Sequence, residues 1–312
     1  MNRIKQNCNY FRWIFLFESE LIMISMRIVM VFNIIVKRKL SISLHYKPLL
    51  DLIRECGSGS ISLSVKRSFL EVVISNPVKK NAISGKMMAE LANIADEIEA
   101  KYIQDDSIAG LLIRGEGDIF SAGADLHLTK DVINTPGRGV AMCRLMTDIL
   151  NRISHCKLIS ISAMNGPAIG GGAELALATD YRVMSSNSYF KFVQAKLGIT
   201  PAWGGTNRLV RMVGQREALQ ILATSKVVPC QEAYRLGMAD VITREKECAN
   251  QIAEEFLHNF LKQPHLSAVK AVKSSIVGIG LATSFQQAVD LETKITGETW
   301  AGIAHKEALS KI

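Results

Sequence analysis

The chain has no Cys-x-x-Cys pair and no histidine cluster beside any of its six cysteines, Cys8, Cys56, Cys143, Cys156, Cys230 and Cys248. That spacing leaves zinc ribbons and thioredoxin-like centres without ligands or motif, and no metal site is expected. The thiols are expected to be reduced and mostly buried. A chain of 312 residues can bury a core large enough to fold without staples. The triple glycine Gly170-Gly171-Gly172 lacks the Lys-Ser/Thr of a P-loop, and its segment has no Gly-x-Gly-x-x-Gly spacing, so a nucleotide-binding reading loses its support.

Long apolar runs are scarce as well. The best is Leu21–Val36, 16 residues interrupted by Arg27 and Asn33, which is short for a membrane span. Glu18 and Glu20 precede it, and its late position does not suit a signal peptide. A last absence bears on chemistry: between Asp180 and Glu217 there is no acidic residue at all.

The net charge of +8 is unevenly distributed. Residues 1–56 hold nine Lys/Arg against four Asp/Glu, whereas the remainder holds 28 against 25. The basicity therefore belongs mainly to the extension, and nucleic acid is not the expected partner. From Met26 or Met30 the segment is basic with no acid before Asp51, which fits a mitochondrial presequence as well as an unstructured leader. The expected location is the cytoplasm, with mitochondria as the alternative. The C-terminal Ser310-Lys311-Ile312, one residue from a peroxisomal Ser-Lys-Leu address, is a third reading. Gly57-Ser58-Gly59-Ser60 marks a flexible boundary to the folded part.

Beyond that boundary the pattern is regular. Ile61–Lys66 and Leu70–Ser75 predict a hairpin, ended by Asn76-Pro77. Ser84 is the expected N-cap of a helix bearing Met87, Met88, Leu91, Ile94, Ala95 and Ile98 at helical spacing. Ile108–Arg114, Lys157–Met164 and Tyr181–Met184 read as strands, with a helix running from about 126 to Ser154. After Gly204 the chain turns helical, over Glu217–Ala223, Gln231–Leu236, Ala249–Leu261 and Ala282–Ile295. Repeated strand-strand-helix units predict an α/β domain. The expected organisation is an extension over 1–56, an α/β core over 57–245 and a helical region over 246–312.

The glycine run opens a helix, where free N–H groups attract negative charge. Two such amides aimed at one oxygen would make an oxyanion hole. Its second half is expected near Gly123, where a strand hands over to a helix. Phe-Ser-Ala-Gly-Ala-Asp-Leu (120–126), Asn-Gly-Pro-Ala-Ile-Gly-Gly-Gly-Ala-Glu-Leu (165–175) and Pro-Ala-Trp-Gly-Gly-Thr-Asn-Arg-Leu (201–209) resemble, in order, the motifs of the enoyl-CoA hydratase/isomerase (crotonase) family. The resemblance covers roughly Ser60 to the C-terminus.

It implies a crotonase-type ββα spiral with a helical C-terminal region that assembles as trimers, often paired as hexamers. It implies an acyl-CoA substrate, no further cofactor, and oxyanion-hole amides on Ala124 and Gly171. Around these, the substrate would meet Ala122, Gly123, Asp125, Leu126 and Gly170, with Lys80 and Lys130 as candidate contacts to the coenzyme A phosphates. Trp203 and Trp300 are candidate walls of the acyl pocket.

Hydratases of the family use two glutamates. The first matches Glu174, whereas the second position falls on Gln194, and an amide cannot take a proton from water. Phe-Val-Gln-Ala-Lys-Leu-Gly-Ile-Thr-Pro-Ala-Trp-Gly-Gly-Thr (192–206), Gly-Glu-Thr-Trp-Ala-Gly (297–302) and Asn-Ala-Ile-Ser-Gly-Lys-Met-Met (81–88) resemble a branch of the family that decarboxylates ethylmalonyl-CoA and, more slowly, methylmalonyl-CoA. That branch is expected to carry histidine where Gln194 stands. The expected activity is thus decarboxylation of malonyl-type thioesters through an enolate. The alternatives are an enoyl-CoA hydratase/isomerase and a non-catalytic RNA-binding homologue, for which the basic residues Lys262, Lys270 and Lys273 are few and mixed with apolar ones.

Overall fold

The structure is a computed structural model and describes residues 46–312. The apolar stretch Leu21–Val36 and the presequence reading lie outside the described residues. Helix α1 (46–53) falls within the segment read as an extension, and its Ile53 is fully buried.

The hairpin forms as expected. Strands β1 (Ser60–Val65) and β2 (Phe69–Ser75) pair antiparallel, closed by a Lys66 N–H bond to Phe69 O at 2.9 Å. Asn76-Pro77 ends β2 by opening a 3-10 turn over Pro77–Lys79, because proline can begin such a turn but cannot donate to a ladder. Next come β3 (Ala82–Ile83) and α2 (Gly85–Glu97), whose N-cap is Ser84, its Oγ accepting from Met87 N. Strand β4 (Gly110–Gly115) leads to β5 (Gly123–Ala124).

The single helix expected from 126 to 154 is two. Helix α3 (Leu126–Asp131) and α4 (Pro136–His155) are separated by a break in which Thr135 caps α4 and Pro136 takes its first position. Strands β6 (Ile159–Met164) and β7 (Ala168–Ile169), the short α5 (Gly171–Ala176), β8 (Tyr181–Met184) and β9 (Tyr189–Lys191) complete the next turn. Helix α6 (Gly205–Thr224) bends at Gly214, and β10 (Val227–Pro229), α7 (Cys230–Arg235) and β11 (Val241–Ile242) follow. Four further helices end the chain: α8 (Ala249–Leu261), α9 (Leu266–Leu281), α10 (Phe285–Thr299) and α11 (Ile303–Leu309).

The six-stranded sheet runs β1-β2-β4-β6-β8-β11, parallel throughout except for the β1–β2 hairpin. Strands β4 and β6 sit at its centre and are buried along almost their whole length, as parallel strands covered on both faces must be. Each ββα turn adds a long strand here and a short one elsewhere, giving the two-stranded sheet β3-β5 and the three-stranded sheet β10-β9-β7. An isolated bridge between Ser121 and Ala168 ties these short strands together. The fold is the ββα spiral expected. On one face of the large sheet, Phe69, Leu112, Ile161 and Val183 pack under Ala249, Ala253 and Leu257 of α8.

Candidate active site

The short strands bring two loops into contact. Successive strand amides point to opposite edges. Asp125 N–H bonds Ile83 O at 3.0 Å, so the amide of its neighbour Ala124 faces the other edge, away from β3. Gly123 N–H is held by Ser121 Oγ at 3.1 Å, and Ala122 N–H by Lys80 O at 3.0 Å. Asp125 then caps α3, its Oδ1 accepting from His127 N.

The glycine before Ala124 is required twice. Gly123 has φ +90°, and a Cβ there would lie 2.6 Å from Ile169 O and 2.9 Å from Gly171 N. This backbone-on-backbone approach sets the second amide beside the first. Gly170 caps α5 with its own N–H on Lys191 O, and Gly171 stands at the first helical position, where an N–H has no partner within the helix. Ala124, its amide turned away from β3, and Gly171, its amide without a helical partner, thus come from different ββα turns that meet at Gly123, and are the candidate pair of donors. Trp203, buried, lies flat against this point: a Cβ on Gly171 would meet its ring at 2.6 Å.

Glu174, on the first turn of α5, is 1% exposed. Its Oε1 accepts from Trp203 N and Gly205 N, both at 2.8 Å, and its Oε2 accepts from Gln194 Nε2 at 2.8 Å. A Cβ on Gly205 would overlap the carboxylate, lying 2.4 Å from Glu174 Cγ. Burial pushes the Glu174 carboxyl above its ordinary value, and the donors from Gly205, Trp203 and Gln194 oppose that rise. Arg208 is the charged side chain that feels Glu174, and burial lowers its own pKa; its Nη1 bonds Trp203 O at 2.7 Å, so the guanidinium grips the same loop.

The sequence-predicted residues therefore gather around Gly171 with few exceptions. Ala122, Gly123, Ala124 and Asp125 form one lip, Gly170, Gly171, Glu174, Gln194 and Trp203 the other. Leu126 is exposed beside the first lip. Lys80 and Lys130 are both exposed, Lys80 in a left-handed conformation next to Asn81. Trp300 stands apart: it is 71% exposed at the end of α10 and stacks edge-on with His305.

Sequence reasoning missed Lys79, whose Nζ pairs with Asp125 Oδ2 at 2.7 Å and holds that carboxyl below the usual range against its burial. It also missed Ser121, fully buried, which donates to Asn81 O and accepts from Gly123 N. Of the basic residues weighed for RNA, Lys270 and Lys273 are buried. Lys270 bonds Tyr102 O and Asp105 O, and Lys273 pairs with Asp180, so neither offers its charge to a surface ligand. Among the described residues no cluster of three or more His, Cys, Asp or Glu could hold a metal, and no helix is long and apolar enough to cross a membrane.

Comparison with known proteins gives the family and the fold. The family profile described as enoyl-CoA hydratase/isomerase matches residues 64–310. Ethylmalonyl-CoA decarboxylase of Bos taurus is 35% identical over 271 residues, covering 86% of each chain. The Homo sapiens protein of the same name is 33% identical over 262 residues, covering 83% of each. Among solved structures, an enoyl-CoA hydratase from Bacillus anthracis superposes with a TM-score of 0.72 at 23% identity, over 80% of this chain and 94% of that one. One from Polaromonas sp. JS666 gives 0.72 at 22% identity, over 81% and 96%.

Proposed function

Because the chain belongs to the enoyl-CoA hydratase/isomerase, or crotonase, family, we propose that it decarboxylates malonyl-type acyl-CoA thioesters, with ethylmalonyl-CoA the first substrate to test and methylmalonyl-CoA the slower one. The observation that carries this reading is the pairing of one buried carboxylate, Glu174, with an amide, Gln194, where two carboxylates would serve water addition. The names of the curated relatives support it.

In the proposed reaction the bond from C2 to the carboxylate breaks and carbon dioxide leaves. Its electron pair passes through C2 to the thioester oxygen, which the N–H groups of Ala124 and Gly171 hold as an oxyanion. Each such donor is worth about 2.7–4 kcal/mol when removed from comparable sites. A proton then adds to C2, turning ethylmalonyl-CoA into butyryl-CoA. Glu174 is the group to supply that proton or to orient the water that does, and burial raises its pKa, which favours holding a proton. The thioester itself is the electron sink, so the proposal names no cofactor beyond the coenzyme A of the substrate. Lys80 and Lys130 are proposed to meet its phosphates, and Trp203 to wall the acyl chain.

A homotrimer, with hexamer as the paired form, is the proposed assembly. Val272, Ile276, Phe285 and Ile303 on the last helices are exposed apolar side chains that support it. Cytoplasmic residence is the proposed location; recovery of the full chain with mitochondria or peroxisomes on fractionation would reassign it. The deciding assay incubates purified full-length protein with ethylmalonyl-CoA and with crotonyl-CoA. Release of butyryl-CoA and carbon dioxide is expected. Rapid hydration of crotonyl-CoA while ethylmalonyl-CoA persists would return the chain to the hydratases.

A further inference from the structure

We infer that Arg208 is a positioning residue for Glu174: it grips the backbone of Trp203, and with it the loop whose amides hold the carboxylate, while its charge faces that carboxylate. This requires Glu174 to take part in the reaction, but not that the reaction be decarboxylation.

The side chain stands where stability alone would not put it. Arg208 is the fourth residue of α6, whose first turn carries no acidic residue. Free N–H groups at a helix start favour negative charge, so a cation there is misplaced. Burial also lowers the Arg208 pKa, and the charge of Glu174 is what opposes that fall. Both terminal nitrogens donate to neutral groups, Nη1 to the Trp203 carbonyl at 2.7 Å and Nη2 to Asn151 Oδ1 at 2.8 Å. Proteins break local rules of this kind mainly at functional sites.

The two bonds tie separate elements together. Asn151 belongs to α4, so the guanidinium spans from that helix to the loop that opens α6. Trp203 is thereby fixed at three points: its carbonyl by Arg208, its N–H on Glu174 Oε1 at 2.8 Å, and its ring against Gly171. Gly205 gives the same Glu174 oxygen a second donor at 2.8 Å. Between them Gly204 turns in a left-handed conformation, and a Cβ there would lie 2.8 Å from Arg208 Nη1. Releasing the guanidinium therefore moves both amides relative to the carboxylate, and the ring relative to Gly171.

Grip and charge act on Glu174 in the same direction. Burial raises its pKa, whereas the donors from Gly205, Trp203 and Gln194 lower it, and a nearby cation favours the ionised form. Neither α5 nor residues 201–205 contain another charged side chain, Lys196 beyond Gln194 is exposed, and Asp125 on the other lip is paired with Lys79. Without Arg208, an attraction is lost and two donors loosen, and both changes raise the Glu174 pKa. His155 on α4 also feels Arg208: burial, Arg208, Lys273 and Arg211 all lower its pKa, so its titration has to be told apart.

The test assays full-length wild type, Arg208→Met, Arg208→Lys, Asn151→Ala and His155→Asn across pH. The substrate is ethylmalonyl-CoA, or crotonyl-CoA if that is the thioester wild type turns over. In Arg208→Met, kcat should fall about tenfold to a hundredfold with KM little changed, the cost of a small misplacement beside the reacting atoms. The limb of the kcat–pH profile that Glu174→Gln abolishes should move to higher pH, whichever ionisation state the reaction needs. The melting temperature should stay close to that of wild type, since the cation is poorly placed for stability. Arg208→Lys keeps the charge without the two-pronged grip, so its limb should stay near that of wild type while kcat lies between the two. Asn151→Ala should lower kcat less than Arg208→Met, and His155→Asn should leave the limb in place.

Infrared titration of the Glu174 carboxyl, assigned by its absence in Glu174→Gln, reads the same rise in Arg208→Met with no substrate present. An unmoved Glu174 titration in Arg208→Met, a limb that follows His155 instead, or a wild-type kcat in Arg208→Met overturns the inference. If Arg208→Met fails to fold, Arg208→Lys and Asn151→Ala decide, and wild-type kcat in both overturns it. Failure of wild type on ethylmalonyl-CoA would sink the decarboxylase reading alone, because the titration judges Arg208 separately.

Discussion

The two ends of the molecule are closed in opposite ways. Around Gly171 the chain supplies every neighbour itself: Trp203, Glu174 and Ser121 are buried and the two loops meet backbone to backbone. In the last helices the reverse holds. Helices α10 and α11 contain no buried residue, and Phe285 and Ile303 are 85% and 80% exposed. Large apolar side chains this exposed are candidates for contact with another surface. The candidate site is thus lined from within this chain, while the last helices leave apolar side chains exposed, the face that the proposed trimer would cover.

Four experiments can break or sharpen that contrast. The largest effect is expected from Glu174→Gln, which should lower kcat for decarboxylation by about 10²–10⁴-fold. Its fold should survive, because Gln194 can turn its unpaired Oε1 toward the new amide. Full turnover would remove Glu174 from the reaction.

Gly123→Ala should come next, at about 10²–10³-fold in kcat. Its methyl cannot be accommodated beside Ile169 O and Gly171 N without parting the lips. Sedimentation should register no change in assembly; a shift there would couple the two ends and spoil the contrast.

Phe285→Asp combined with Ile303→Asp should reduce the native mass to that of a monomer, with a smaller loss of activity than Gly123→Ala. An unaltered mass would mean that these side chains lie outside the contact.

The smallest effect belongs to Asp125→Asn, which keeps the cap of α3 but loses the Lys79 pair. Lys79 is half-exposed, so about 0–1 kcal/mol is expected from thermal melts at neutral pH. The folded-state pKa of Asp125 is depressed, so its contribution is present above the unfolded value near 3.9 and disappears as pH falls through the folded one. The variant should therefore lose less stability than wild type as the pH falls below about 4; parallel acid curves would deny Asp125 that role.

Much of this was legible in the letters, for identifiable reasons. Ser84 announced its helix because a cap and the apolar repeat of Met87, Met88 and Leu91 agree. Tyr181–Met184 and Ala249–Leu261 were bounded correctly from periodicity alone. Helix α9 escaped because Lys270 and Lys273 fall on its buried face, where a reader expects apolar residues. The break between α3 and α4 did carry a signal, Thr135-Pro136, a cap followed by a first-position proline.

At the site, the motif order located Ala124, Gly171 and Glu174, and counting located Gln194. What no spacing discloses is that Lys79 rather than Lys80 reaches Asp125. Lys80 and Asn81 both adopt positive φ, which redirects consecutive side chains. Nor can letters say which end of an amide faces a carboxylate.

The approach of Gly123 to Gly171 also governs time. The contact joins residues 48 positions apart, and the bonds from Glu174 to Trp203 and Gly205 span a further 29 and 31. Contacts of such separation form late, because the intervening chain must be ordered before they are rewarded. A refolding molecule will therefore regain its local helices before it regains turnover, and the lag between the two signals measures the ordering of these long-range contacts, the parallel strand pairs among them.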